Sequence, residues 1–454
     1  MSLDARTHES RPIAGVEDLV AWLRAKERPR DTWKVGLEHE KVLLRAGTLD
    51  PVPYGGEGGI AAVLRAFSRF GYEPFEEDGR IIASQKSGLT VSIEPGGQVE
   101  LSGRPFADVH VIAAELDRHI EKCRAIAAET GVEFLAVGYR PWGTAATNPW
   151  MPKNRYAVMR PFLAARGRLA EDMMAMTASA QASFDFSSER DLAEKVRVAL
   201  AVQPVVTALF ANSAIIEGKP CGWKSYRTKV WFETDPARSG LLPFAFEPGF
   251  EDDAYRRYVE WTLDVPMVFL RRRGVYLDPG GRTFRAFLAE GLAGERATIA
   301  DWEDHLTTVF PDVRVKAVVE VRGADACGPE LTKALAALWK GLLYDREARA
   351  SAFDSVRRFS FEERRAFVEA AGRDGLSGRA PDGRPILEIA RTLLDIAANG
   401  LCRQRCCGDR GDDERVWLSP LRERAASGRS PADDALEVLA KGGPRALAAF
   451  LRCA

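Results

Sequence analysis

No run in these 454 residues approaches the roughly 20 consecutive apolar residues a membrane helix needs, so no membrane partner is expected. Charge of one sign is missing as well. The 64 basic and 65 acidic residues leave a net charge near −1, without the basic excess that a nucleic-acid partner selects for. The seven cysteines are scattered and odd in number, which excludes a disulfide framework and points to reduced thiols. Cys402, Cys406 and Cys407 have no nearby histidine or fourth cysteine, so their spacing fits no common zinc pattern. Gly-x-x-x-x-Gly-Lys-Ser/Thr and dinucleotide fingerprints are absent, so nucleotide binding would run through metal-coordinated phosphate on a sheet. Met1 to His8 lacks an apolar signal core, and the polar start of the chain predicts a cytoplasmic location.

What is present is a set of acidic strands. Val35-Gly36-Leu37-Glu38-His39-Glu40 reads as a strand with Glu38 and Glu40 on one face and His39 on the other. Ser92-Ile93-Glu94-Pro95-Gly96-Gly97-Gln98-Val99-Glu100 reads as two short strands joined by a Pro-Gly-Gly turn. Glu94 precedes that turn, and Gln98 and Glu100 share a face after it. Gln181, Ser183 and Asp185 alternate with apolar residues, as do Glu320 and Arg322 with Val319 and Val321. Carboxylates aimed at one place repel and hold protons unless a cation sits among them. Mg²⁺ carrying a polyphosphate is the usual solution.

Helical periodicity predicts helices over Val16–Ala25, Ile60–Phe70, Ala107–Thr130, Arg155–Ala165, Leu192–Phe210, Ala254–Leu263, Thr283–Leu292 and Trp302–Val309. Phe134–Gly138 reads as a short buried strand, and Gly218–Pro248 as a functional loop holding Lys224, Arg227, Lys229, Trp231 and Arg238. Strands scattered among helices without a βαβ rhythm predict an α+β fold: an antiparallel sheet with helices on one face and a substrate cradle on the other. After Tyr344 the chain turns Arg/Ala/Glu-rich and helical. The expected division is a catalytic domain over 1–345 and a helical extension over 346–454.

Several carboxylates, a Glu-x-Arg strand and a basic loop are the parts of phosphoryl transfer. Nothing resembles a covalent nucleophile with its base, and His110, His119 and His305 fall in helical packing patterns. The acceptor is expected to be a substrate carboxylate or amine.

The segments Val35–Lys41, Pro53–Gly56 and Ser92–Gly103 resemble the plant and proteobacterial type of glutamate–cysteine ligase. So do Met151–Tyr156, Asp185–Glu189, Ala208–Ser213, Glu217–Pro220, Leu263–Met267, Trp302–Pro311 and Arg322–Asp325, over roughly residues 30 to 345. The resemblance implies a glutamine-synthetase-like fold and ATP-dependent joining of L-glutamate to L-cysteine through a γ-glutamyl phosphate. It implies that Glu38, Glu40, Glu94, Glu100 and Glu320 hold Mg²⁺, and that Gln181, Ser183 and Arg322 face the nucleotide. It further implies that Arg227 and Arg322 act on the transferring group, and that Arg155, Arg227 and Trp231 bind substrate. The partners implied are glutamate, cysteine and ATP, on a monomer or homodimer. Other readings are a γ-glutamyl ligase with a different amine and a phosphagen-kinase-like phosphotransferase.

The sequence departs from the family at Gly36-Leu37, at Ser183 in place of Asn, and at Ala326-Cys327-Gly328-Pro329-Glu330, where a Trp is lost. Pro279 stands where plant members carry a cysteine, and the usual aromatic C-terminus is absent. These departures are expected to gather on the acceptor side.

Overall fold

The computed structural model describes residues 11–408 and 411–454; the first ten residues of the polar N-terminal stretch lie outside the described residues. Nine strands form one sheet: β1 (Val35–Arg45), β2 (Glu73–Glu77), β3 (Arg80–Lys86), β4 (Leu89–Ile93), β5 (Val99–Ser102), β6 (Val132–Leu135), β7 (Ser179–Phe184), β8 (Val313–Val315) and β9 (Val319–Asp325). The order is β8-β9-β7-β1-β5-β4-β3-β2, with β6 pairing the far half of β1. Every pairing is antiparallel. β1 has 11 residues, long enough to pair β5 and β7 with its first half and β6 with its second.

The two faces of β1 are set by its alternation. Leu37, His39 and Lys41 point away from Glu38 and Glu40 and are buried. Helices Val109–Thr130 and Pro329–Leu343 pack behind this strand, and Glu189–Leu209 packs along β9. His39 Nε2 lies 3.0 Å from the Cys327 carbonyl, and Lys41 Nζ donates to the His39 carbonyl at 2.7 Å. His39 and Lys41 therefore have partners even behind the sheet.

Most predicted helices appear within a few residues: Val16–Arg24, Val109–Thr130, Asn154–Ala164, Glu189–Leu209, Ala254–Asp264, Phe284–Glu290 and Ile299–Leu306. Ile60–Phe70 splits into an α-helix to Ala66 and a 3₁₀ turn that ends at left-handed Gly71. The expected loop over Gly218–Pro248 is partly wrong. It contains the helix Tyr226–Phe232, which carries Arg227, Lys229 and Trp231.

The residues after 345 are helical and share the main core. Ile386–Gln404 crosses Pro329–Leu343 at two facing glycines. A Cβ on Gly400 would lie 2.0 Å from the Gly341 carbonyl, and one on Gly341 would lie 2.4 Å from the Ala397 carbonyl. At the chain's end Cys453 N donates to the Phe134 carbonyl at 2.9 Å, and Phe134 N donates to the Ala454 carbonyl at 3.1 Å. The final residues thus line β6. The seven cysteines are all free.

Forcing a side chain into this crossing should cost about 1–3 kcal/mol. Gly400→Leu is expected to lower the urea midpoint of the entire chain in one transition. A separate early transition of the C-terminal helices, with the sheet unaffected, would show that the two parts fold independently.

Candidate active site

Strand parity and register set a polar band across five adjacent strands. Ser92 of β4 faces Glu100 of β5, Glu100 faces Glu40 of β1, Glu38 faces Gln181 of β7, and Ser183 faces Glu320 of β9. Glu94 is brought to the band by the hairpin. Glu94 N donates to the Gln98 carbonyl and Gly97 N to the Glu94 carbonyl, each at 2.9 Å, with Gly97 at φ +80°. Gly96 lies so close to the preceding wall that a Cβ would stand 2.0 Å from the Ala175 carbonyl. Gln98 is spent on holding this turn, accepting from Gly96 N at 2.9 Å and donating to the Thr177 carbonyl at 2.7 Å.

Glu38, Glu40, Glu94 and Glu100 line one cavity with Gln181, Arg155, Arg227, Trp231, Arg314 and Arg322. Glu40 accepts from Ser179 N at 2.6 Å, and Glu100 accepts from Ser102 Oγ at 2.7 Å. Glu94 Oε1 is buried without a partner. Among the described residues, no three acidic, His or Cys side chains stand close enough together to hold a metal ion as placed here. The carboxylates share a cavity as an open donor set of hard oxygens, the type that holds a hard divalent cation with its own waters.

Glu320 is placed differently. It is not among the residues lining the cavity and is held by Arg314 Nη2 at 2.7 Å, Lys316 Nζ at 2.9 Å and Arg322. Burial pushes its pKa up, but Arg314, Lys316 and Arg322 hold it well below the usual carboxylate range. Its charge is already matched by protein cations. Ser183 shares its face and also stands outside the cavity lining. The face expected to include Asp185 ends at Phe184; Asp185 instead accepts from Lys34 N at 2.8 Å and pairs with Arg28 at 3.4 Å.

Arginines from β8, β9 and the helices Asn154–Ala164 and Tyr226–Phe232 complete the lining. Arg322 Nη1 donates to Gln181 Oε1 at 2.6 Å, and Arg227 Nη2 donates to the Arg322 carbonyl at 2.9 Å. Arg155 Nη2 donates to Thr307 Oγ1 at 3.1 Å. Arg227 Nε and Trp231 Nε1 are buried without a partner. Arg227, Trp231, Phe310 and Arg322 also line an adjoining chamber of about 480 Å³ with Gln203 and Asp312. Burial lifts Asp312 to about 6, although Arg227 and Arg322 pull it down.

Several contributors carry no assigned role in the sequence reading. Asp325 is buried and accepts from Asn212 N at 2.8 Å, Ser213 Oγ at 2.7 Å and Ser225 Oγ at 2.9 Å. Ser213 Oγ in turn accepts from Arg227 N at 3.1 Å, so Asp325 sets where the Arg227 helix begins. Lys153 is buried and its charge opposes the rise of the Glu94 pKa. Arg314 and Lys316 had a readable signal: Val313-Arg314-Val315-Lys316 alternates as the first arm of the hairpin ending in Glu320 and Arg322.

The family departures do not gather beside the cavity. Cys327 sits behind the sheet under His39, and Glu330 is at the exposed start of a helix, paired with Lys333 at 2.8 Å.

An antiparallel sheet cradling clustered carboxylates beneath arginines marks the class: a ligase with the glutamine-synthetase-like fold. The chain belongs to glutamate–cysteine ligase family 2, whose model matches residues 34–448 and so takes in the C-terminal helices beyond the resemblance at residues 30 to 345. It is 40% identical to the chloroplastic glutamate–cysteine ligase of Brassica juncea, over 93% of this chain and 80% of that protein. Glutamate–cysteine ligase B, chloroplastic, of Oryza sativa subsp. japonica is 39% identical over 93% of this chain and 83% of its own length. The solved structure of a Francisella tularensis glutamate–cysteine ligase in complex with AMP shares the fold at a TM-score of 0.56. It is 12% identical and covers 92% of this chain and 87% of that one.

Burial, followed by the facing charge of Glu100, lifts Glu40 from 4.5 to about 7, against the pull of Arg227, Ser179 N–H and Arg322. A raised carboxylate pKa makes the folded chain bind a proton that the unfolded chain releases. The stability this gives is complete below about pH 4.5 and lost as pH rises to about 7, by roughly 3 kcal/mol. Metal-free Glu40→Gln should therefore gain stability relative to the unsubstituted chain between pH 5 and 7.5. Urea unfolding at both pH values checks it; an equal difference at the two would contradict the assignment.

Proposed function

We propose that this chain condenses the γ-carboxylate of L-glutamate with the amine of L-cysteine at the expense of ATP, giving γ-glutamylcysteine, the first step towards glutathione or a related thiol. The observation that carries the reading is the single cavity in which Glu38, Glu40, Glu94 and Glu100 face Arg227 and Arg322, in a chain 40% identical to a protein bearing that name. The donor set fits Mg²⁺: oxygens alone, with Glu94 Oε1 lacking any protein partner. Glu38, Glu40, Glu94 and Glu100 would hold it, and it would supply charge neutralisation to the polyphosphate.

The chain's own residues account for the rest. A γ-carboxylate oxygen displaces ADP from the terminal phosphorus, and the cysteine nitrogen then attacks the acyl carbon, expelling phosphate and losing a proton. Buried Arg227 and half-buried Arg322 would stabilise the charge that develops on the phosphoryl group and acyl oxygen. Trp231 and Phe310, with ring centroids 5.8 Å apart, close an apolar wall against water that would hydrolyse the acyl phosphate. The adjoining chamber of about 480 Å³ leaves room for a second reactant at the same arginines. A cytoplasmic setting, small-molecule partners and a monomer or homodimer belong to the same proposal. The near-zero net charge supports the lack of a nucleic-acid partner. Among the described residues, no helix is long and apolar enough to cross a membrane.

Turnover of ATP with glutamate, Mg²⁺ and cysteine should yield γ-glutamylcysteine by mass, while other amines or none should give far less. ADP formation without a peptide-bonded product would overturn the reading. Arg227→Lys keeps the charge but loses the planar fork, so kcat/KM for glutamate should fall on the order of 10²-fold with the unfolding midpoint nearly unchanged. Unaltered saturation by glutamate would remove Arg227 from its role.

A further inference from the structure

Away from the active site, a cavity of about 260 Å³ opens between the β3–β4 hairpin and helix Val109–Thr130. Lys86, Arg104, Arg118 and Lys122 line it, and Glu115 is the only acid among its lining residues. Glu115 is already committed to Arg104, accepting from Nε at 2.7 Å and from the backbone N at 2.9 Å. Lys86, Arg118 and Lys122 are left as an excess of positive charge around one concavity. They press on each other: burial and then the charges of Lys86 and Arg118 pull Lys122 below its ordinary pKa.

The floor adds two neutral hydrogen-bonding groups. The Tyr72 hydroxyl and His119 Nδ1 are buried and have no partner, in side chains 3% and 1% exposed. Groups so buried and unpaired are costly unless something completes them. His119 Nε2 faces Cys123 Sγ at 3.3 Å, which fixes the ring with Nδ1 as its remaining polar atom. Lys86 Nζ and Lys122 Nζ stand 5.9 and 5.7 Å from the Tyr72 ring centroid, so both cations converge above the same phenol.

We propose that this cavity is a second binding site, for a small polyanion bearing clustered phosphoryl or carboxylate oxygens. Such oxygens accept from the lysines, Arg118 and the Tyr72 hydroxyl together, and their negative charge offsets the cationic excess, as a neutral or cationic ligand would not. The volume limits the ligand to a small molecule. None of these residues belongs to the catalytic cavity, so the site is independent of the ligase reading.

The test is calorimetric titration of pyrophosphate and, separately, citrate into the full chain at 0.15 M salt. Arg118→Gln/Lys122→Gln, Tyr72→Phe and Arg227→Lys serve as variants. Saturable binding should weaken about tenfold or more in the double variant and several-fold in Tyr72→Phe, and be retained in Arg227→Lys. The preferred anion tells a phosphorylated ligand from a polycarboxylate. The substituted cations are solvent-facing, and unchanged urea midpoints establish that the variants fold. No saturable binding, or affinities for both anions that the double variant leaves within about twofold, would overturn the proposal.

Discussion

Two buried carboxylates facing each other across a strand pair are the constraint around which the rest is arranged. Glu40 and Glu100 occupy one register position of β1 and β5, and Glu94 is turned in beside them by the hairpin. Like charges directly opposite destabilise a sheet, and burial multiplies the effect. The sheet tolerates them because protons, backbone donors and arginines share the load: Glu40 titrates near 7 and accepts from Ser179 N. The same arrangement leaves coordination capacity unspent, and Glu94 Oε1 shows it. A cation held there would offset the repulsion among these carboxylates.

The cationic wall is built with more redundancy. Arg314, Lys316 and Arg322 surround Glu320, so this carboxylate anchors the guanidinium that reaches Gln181. Removing Glu320 would leave these three cations without their shared counter-charge, a loss of about 3–5 kcal/mol. Asp325 does the corresponding work for Arg227 by gathering Asn212, Ser213 and Ser225. Two acids on β9 thus position the two arginines. The cradle is acidic where it would receive a cation and basic where it would receive an anionic substrate, which suits chemistry that moves a phosphoryl group between carboxylates and phosphates.

Much of this was legible in the sequence because strand parity is a local property. Glu38 and Glu40 had to share a face, and the Pro-Gly-Gly turn had to return Glu100 beside Glu94. Helix periodicity likewise placed most helices within a few residues. What failed was non-local. The Tyr226–Phe232 helix is short and rich in aromatic and β-branched residues with modest helix propensity; it exists because Ser213 and Asp325 fix its first turn. The ion pairs of Glu320 were not legible either, because two of its three cations, Arg314 and Lys316, come from the preceding arm of the hairpin. Asp185 sat one residue past the strand's end, where alternation no longer applies. The departures near Glu330 lie where the chain passes behind the sheet, a placement that only the tertiary fold reveals.

Proton release on cation binding tests the central claim most directly. Mg²⁺ should be titrated calorimetrically into the nucleotide-free protein near pH 6.5 in buffers of different ionisation enthalpy. Binding that draws Glu40 and Glu94 into full ionisation must expel protons, so the apparent enthalpy should vary with the buffer. That dependence should shrink in Glu40→Gln. Mg²⁺ binding with no proton release, or with release that Glu40→Gln leaves unchanged, would contradict the account of a repulsive carboxylate band relieved by a cation.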